Sequence, residues 1–230
     1  EVYDQQQKEI AILLIAPYFI IVYLWVYQQW KNYHELKIQK SKAELELLKN
    51  QINPHFLFNT LNNLYALALK KSDKTPEVIA KLSEILDYIL YQCKDPYVAI
   101  SKEIELLENY IGLEKVRYGN RVAVTFEKDL QVDVKIAPLI LLTFVENAFK
   151  HGVSSSKESL INMQLSVAEK KMVFTIDNDN YPKKTEDQSG SGIGLKNLEK
   201  RLQLLYPNKH NFSASVVNGR FVVRLEIETT

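Results

Sequence analysis

Between Ile10 and Tyr27 the chain reads IAILLIAPYFIIVYLWVY, 18 residues without one charge. A run of that length can cross the hydrocarbon core of a bilayer as a single helix, and a small soluble domain seldom has room to bury it. A secretory leader would want a basic start, a shorter apolar stretch and a small-residue cleavage site. The segment instead closes on Trp25, Tyr27 and Trp30, side chains suited to a membrane–water boundary. Pro17 is tolerable in such a helix. Positions 28–42 hold Lys31, Lys37, Lys40 and Lys42 against Glu35, whereas Lys8 stands beside Glu1, Asp4 and Glu9. That bias predicts an extracytoplasmic flank at 1–9, a membrane helix at 10–27, and everything after about residue 28 in the cytoplasm. A nine-residue flank is too short for a sensor, so a sensory part is expected upstream of Glu1 in a longer chain.

From Gln28 to Ile52 there is no glycine or proline, and Ile38, Ser41, Leu45, Leu48 and Ile52 fall on an a/d seam. The spacing predicts a coiled-coil linker over 28–52. Asn53–Pro54 punctuates it, either as a kink in a continuous helix or as the cap and first residue of a new one. A helix to about Lys70 and a second over Glu77–Gln92 form an antiparallel hairpin. Their apolar faces would be buried as a four-helix bundle in a dimer. Ser101 is placed to cap a further helix, Lys102–Tyr118, that stops at Gly119–Asn120. After Arg121 the period changes. VAVTFEK, LINMQLSV, KMVFTID, FSASVV and RFVVRLEI read as strands, with Asn218–Gly219 as a hairpin turn and helices over Leu139–His151 and Gly194–Tyr206. The fold expected is α+β: a hairpin over 53–119, then a mostly antiparallel α/β sandwich over 120–230.

Composition excludes two classes. Against 28 acidic residues stand 29 basic ones, so the chain has no global field for binding nucleic acid. A single cysteine, Cys93, rules out an internal disulfide framework and a cysteine-based zinc cluster.

Three patches carry chemistry. In QINPHFLFNTLNNL, His55 lies in or beside a first helical turn, where backbone N–H groups disfavour an imidazolium and attract an anion. This suits a neutral imidazole nucleophile. Asn59, four residues on, reaches the ring or a phosphoryl oxygen. By itself the patch reads first as a capped helix start with a surface histidine. In LLTFVENAFKHG, Asn147, Lys150 and His151 fall at i, i+3 and i+4 on one face, equipment for hydrated Mg²⁺ and a triphosphate. Glu146 points about 100° away, at the edge of that face. In GSGIGLKNLEKRL, Gly190, Gly192 and Gly194 precede a helix and can cradle phosphates. A bare glycine-rich loop is the competing reading. The polar stretch Tyr181–Gly192 reads as a functional loop.

In this order the three motifs closely resemble the LytS-like sensor histidine kinases, over about residues 45–228. Their ATP-binding domain is of the GHKL, or Bergerat, type. The resemblance implies a bacterial inner-membrane, homodimeric kinase that takes phosphate from ATP with Mg²⁺ onto His55 and passes it to a response regulator. It implies Asn147 as the Mg²⁺ residue, Lys150 and His151 near the phosphates, and Gly190, Gly192 and Gly194 in the lid. Asn197 and Arg201 match family positions just behind it. Two positions depart from the pattern. Where superfamily members usually carry Asp-Asn-Gly-x-Gly, this chain reads Ile176-Asp177-Asn178-Asp179-Asn180. Strict alignment puts Asn178, not Asp177, at the adenine-reading position. Thr143 replaces the glutamate that activates water in hydrolysing members, and Phe56 follows His55 where several kinases place an acid. A degenerate GHKL scaffold, signalling through partner contacts without catalysis, is the alternative.

Overall fold

The computed structural model describes residues 17–40, 54–154, 156–181 and 193–229. The chain divides into two units, Glu1–Ile52 and Asn53–Thr230. In the first, residues 17–40 form one helix, α1, with its apolar side chains exposed, Phe19 and Trp25 among them. No helix among the described residues is long and apolar enough to cross a membrane. Positions 10–16 of the expected span and 41–52 of the expected coiled coil lie outside the described residues.

The second unit opens with the hairpin: α2, Pro54–Leu69, and α3, Thr75–Tyr91. Helix α2 begins at Pro54, whose fixed φ and missing N–H suit a first turn. Position 53, which would separate a kink from a fresh start, is outside the described residues. After a 3₁₀ turn at Gln92–Lys94 and a two-residue strand, β1 (Val98–Ala99), comes α4, Ile100–Tyr118. Its start departs from expectation. Ser101 does not cap it; Asp133 does so from 32 residues away, accepting from the Ser101 N–H at 3.2 Å and from its hydroxyl at 3.1 Å. The end is as expected, because Gly119 takes φ +60°, where any side chain would be strained. Ile104, Leu107 and Ile111 on one face and Leu106, Tyr110 and Leu113 on another are all buried. A helix apolar on two faces is a middle layer, and α4 packs on both α3 and α5.

The sandwich comprises β2 (Val122–Leu130), β3 (Lys135–Ile136), α5 (Ile140–Gly152), β4 (Ser159–Ala168), β5 (Lys171–Asp179), α6 (Ile193–Leu205), β6 (His210–Val217) and β7 (Arg220–Glu228). Five strands order as β2-β4-β5-β7-β6, antiparallel except β2 beside β4, while β3 pairs with β1 apart from them. Every strand expected from the sequence is present within two residues or so. The parallel pair follows from chemistry of connection, since β2 reaches β4 only through the crossover helix α5. Period-two alternation buries Ile161, Met163, Leu165 and Val167 of β4 with Met172, Phe174 and Ile176 of β5. Onto this face α5 lays Phe144, whose ring centroid stands 6.0 Å from that of Phe174 and 5.9 Å from that of Phe212. The opposite face is polar, with Thr125 donating to Asn162 and Asn162 to Asp177. Both residues of the β6–β7 turn have positive φ, Asn218 +51° and Gly219 +79°, the conformation of a tight two-residue hairpin.

Candidate functional site

One cleft of about 300 Å³ lies where α2, α4 and α5 meet. From α2 it takes His55 and Phe56; from α4 Tyr110, Glu114 and Arg117; from α5 Thr143, Glu146, Asn147 and Lys150. Two of the three sequence patches therefore converge, although 92 positions separate His55 from Asn147.

Neighbouring residues on a helix point about 100° apart, and α2 uses this difference. Phe56 is buried and stacks on Tyr110 at 4.7 Å between centroids, while His55 beside it is exposed. Thr60, one turn on, is buried as well and bonds back to the Phe56 carbonyl at 2.9 Å. The Asn59 amide nitrogen lies 3.1 Å from His55 Nδ1 and 3.2 Å from Nε2. It can donate to whichever ring nitrogen lacks a proton.

Helix α5 is held at its start by an unusual partner. Leu139 precedes it at φ +64°, and its N–H donates to Glu103 Oε1 at 2.8 Å. Glu103 is fully buried, accepts also from the Tyr88 hydroxyl at 2.5 Å, and keeps Oε2 without a hydrogen-bond partner. Burial pushes its carboxyl above the usual carboxylate range. One side chain of α4 thus ties α3 to the residue that precedes α5. Burial and the neighbouring Glu103 also push the Cys93 thiol up to about 12, so it is a poor nucleophile.

Further along α5, Asn147 Nδ2 donates to the Thr143 carbonyl at 2.9 Å. Asn147 lines the cleft, and an amide oxygen is the kind of ligand a hard, oxygen-seeking Mg²⁺ takes. The Thr143 hydroxyl bonds back to Leu139 O at 3.0 Å. Glu146, expected at the edge, lines the cleft itself. Glu114 is almost fully buried and pairs with Arg117 at 3.3 Å. His151 is half-buried in the last turn and is not among the residues lining the cleft.

Strand β5 separates the two adenine-reading candidates. Asn178 continues the buried face of Met172, Phe174 and Ile176, and packs so closely on Gly152 at the end of α5 that an added Cβ would stand 2.5 Å from its Nδ2. Its Nδ2 donates to Asp179 O at 2.8 Å. Asp177 points to the other face and pairs with Arg220, which also holds Asp179 at 2.7 Å. Of the glycines expected in a lid, Gly190 and Gly192 fall outside the described residues, and Gly194 lies in the first turn of α6. Arg201, on the same helix, donates to Pro138 O at 2.8 Å, beside the start of α5.

Residues 43–122 match the family model for histidine kinases. The sensor histidine kinase YpdA of Escherichia coli is 30% identical over 181 residues, which are 75% of this chain and 32% of that one. Sensor protein LytS of Enterococcus faecalis is 32% identical over 203 residues, 81% of this chain and 34% of the relative. Among solved structures, the catalytic domain of histidine kinase ThkA aligns with 58% of this chain and 98% of its own at 16% identity and a TM-score of 0.46. The chain belongs to the histidine kinases, and among them it is LytS-like. It spans about a third of the length of the curated relatives it matches.

Proposed function

We propose that this chain is the catalytic part of a two-component sensor kinase that phosphorylates its own His55 from ATP. The observation that carries the reading is the shared cleft: His55, Asn147 and Lys150 line one space. Asn178 would accept from the adenine amino group, with Lys150 and His151 beside the phosphates and the Gly190–Gly194 segment closing over them. Asn147 would hold Mg²⁺, which when bound neutralises developing phosphate charge. An unprotonated ring nitrogen of His55 attacks the γ-phosphorus. The bond to the β–γ bridging oxygen breaks, ADP leaves with the electron pair, and the ring gives up its remaining proton. Such transfers rest on positioning and charge more than on covalent help. With Thr143 where a water-activating glutamate would stand, the site favours transfer to histidine over hydrolysis.

The phosphoryl group then passes to an aspartate of a response regulator. Exposed Phe58, Tyr65 and Leu69 of α2 support a homodimeric bundle, and the exposed apolar surface of α1 supports a membrane anchor. Purified protein given γ-labelled ATP and Mg²⁺ should gain an acid-labile, base-stable label that His55→Gln abolishes. Label persisting in that variant would remove His55 as acceptor. Absence of both label and affinity for a non-hydrolysable ATP analogue would favour the scaffold.

A further inference from the structure

His55 lies at one end of the α2–α3 hairpin, so whatever holds that end decides where the imidazole stands against α5. In an antiparallel pair the start of one helix lies beside the end of the other. At a rise of about 1.5 Å per residue, His55 stands about 21 Å from the last residue of α2, and Tyr88 about 20 Å from the first residue of α3. The two share the open end of the hairpin. Helix α4 grips that end from one face at two points, Tyr110 and, two turns earlier, Glu103. Tyr110 seats Phe56 at 4.7 Å between centroids, and Glu103 accepts from the Tyr88 hydroxyl at 2.5 Å. Stacked rings tolerate sliding, whereas a hydrogen bond weakens steeply as its angle closes, so the second contact sets the finer position.

Glu103 hands that position on to the ATP-binding helix. The same Oε1 accepts from the Leu139 N–H at 2.8 Å, directly ahead of α5. Leu139 takes φ +64°, which a residue other than glycine keeps only where its surroundings over-determine it. Here they do, on three successive residues. The Ala137 N–H donates to the Tyr206 hydroxyl at 2.7 Å, Pro138 O accepts from Arg201 at 2.8 Å, and Glu103 takes the Leu139 N–H. Arg201 and Tyr206 come from α6 and the residues that follow it; of the three side chains, Glu103 is the one that joins this turn to the hairpin. Its chemistry fits geometry better than stability. Glu103 is fully buried, and its Oε2 has no hydrogen-bond partner among the described residues, a cost that an apolar side chain of the same volume would not carry.

We propose that Glu103 is a positioning residue for the phosphotransfer, an inference that rests on the kinase reading above. By joining Tyr88 to the Leu139 N–H, it sets how the hairpin end that carries His55 stands against the helix that carries Asn147 and Lys150. It touches neither the nucleotide nor the imidazole, and acts through the two backbones it ties.

The test is single-turnover autophosphorylation of Tyr88→Phe, Glu103→Leu and Glu103→Gln at saturating ATP, with affinity for a non-hydrolysable ATP analogue and a thermal melt on the same samples. A misplacement of about 1 Å in a reacting pair can cost about 10²-fold in rate. Tyr88→Phe keeps the ring and the volume and loses the donor. It should stay folded, bind the analogue as wild type does, and label His55 roughly 10- to 10²-fold more slowly. Glu103→Leu should lose at least as much. Glu103→Gln, whose amide oxygen can accept from both Tyr88 and Leu139, should recover most of what leucine loses. Tyr88→Phe labelling at the wild-type rate would overturn the proposal. So would an affinity loss matching the rate loss, which would assign the contact to the nucleotide site, or a Gln variant no faster than Leu. If wild-type protein takes no label at all, the kinase reading itself falls, and the positioning role with it.

Discussion

Replacing Gly152 by alanine tests whether Asn178 reads the nucleotide base. The new Cβ would stand 2.5, 2.6 and 2.7 Å from Asn178 Nδ2, Cβ and Cγ, all far inside contact distance. Because the clash reaches the Asn178 Cβ, turning the amide aside does not relieve it. Either β5 or the end of α5 must move, and the Asn178 bond to Asp179 O at 2.8 Å is strained or lost. Overpacking of this kind costs about 1–3 kcal/mol. For a chain of this size each kcal/mol lowers Tm by about 2–4 °C, so a fall of roughly 2–12 °C is expected. Displacing the base-reading amide should weaken an ATP analogue about tenfold, the equivalent of ~1.4 kcal/mol. Inorganic triphosphate, which has no base, should bind as before. Calorimetric titration with both ligands and a thermal melt make the comparison. Adding Asn178→Gly, which removes the Cβ as well as the amide, should recover part of the lost Tm by clearing the space, but not analogue affinity. Unchanged Tm and analogue affinity in Gly152→Ala would refute the reasoning.

Two further outcomes follow from the scaffold. The buried Glu103 carboxyl holds its proton to higher pH when folded than when unfolded. Between those two values the folded chain binds more protons, so stability should fall as pH rises from about 4.3, the ordinary carboxyl value, through the raised one. Glu103→Gln should flatten that slope in urea titrations at a series of pH values; an unaltered slope would assign it to another group. Gly219 sits at φ +79° with open space around it. Gly219→Ala should therefore destabilise by about 1 kcal/mol through backbone strain alone, read as a shifted urea midpoint with nucleotide affinity unchanged.

The strands were legible because one buried face imposes period two, and Asn218–Gly219 because only such residues take the turn. Strands β1 and β3 were not, since two residues show no period and their pairing spans 36 to 38 positions. Nor could a local scan find the cap of α4, because Asp133 comes from a loop 32 residues on. Glu103 reads in sequence as one more charge on an amphipathic helix. Its burial follows from α4 being covered on two sides, which no period reveals. Asn147 and Lys150 were visible from spacing, and Glu146, expected at the edge of their face about 100° away, lines the cleft because α2 and α4 wall it as well as α5, so that it takes side chains from a wider arc of the helix. Strand register sets Asp177 and Asn178 on opposite faces of β5, because one residue decides which face a side chain joins.

The stack of Phe56 on Tyr110 has a mechanical consequence. His55 and Phe56 are rigidly offset on one helix, so α2 cannot spin about its axis without dragging the ring out of its seat. Turned by about 100°, the helix would present phenylalanine where histidine had been. The aromatic seat therefore works as a detent. It resists small rotations of α2 and yields only to a twist large enough to unseat the ring, so that on the proposed reading His55 is either aligned or misaligned with the cleft.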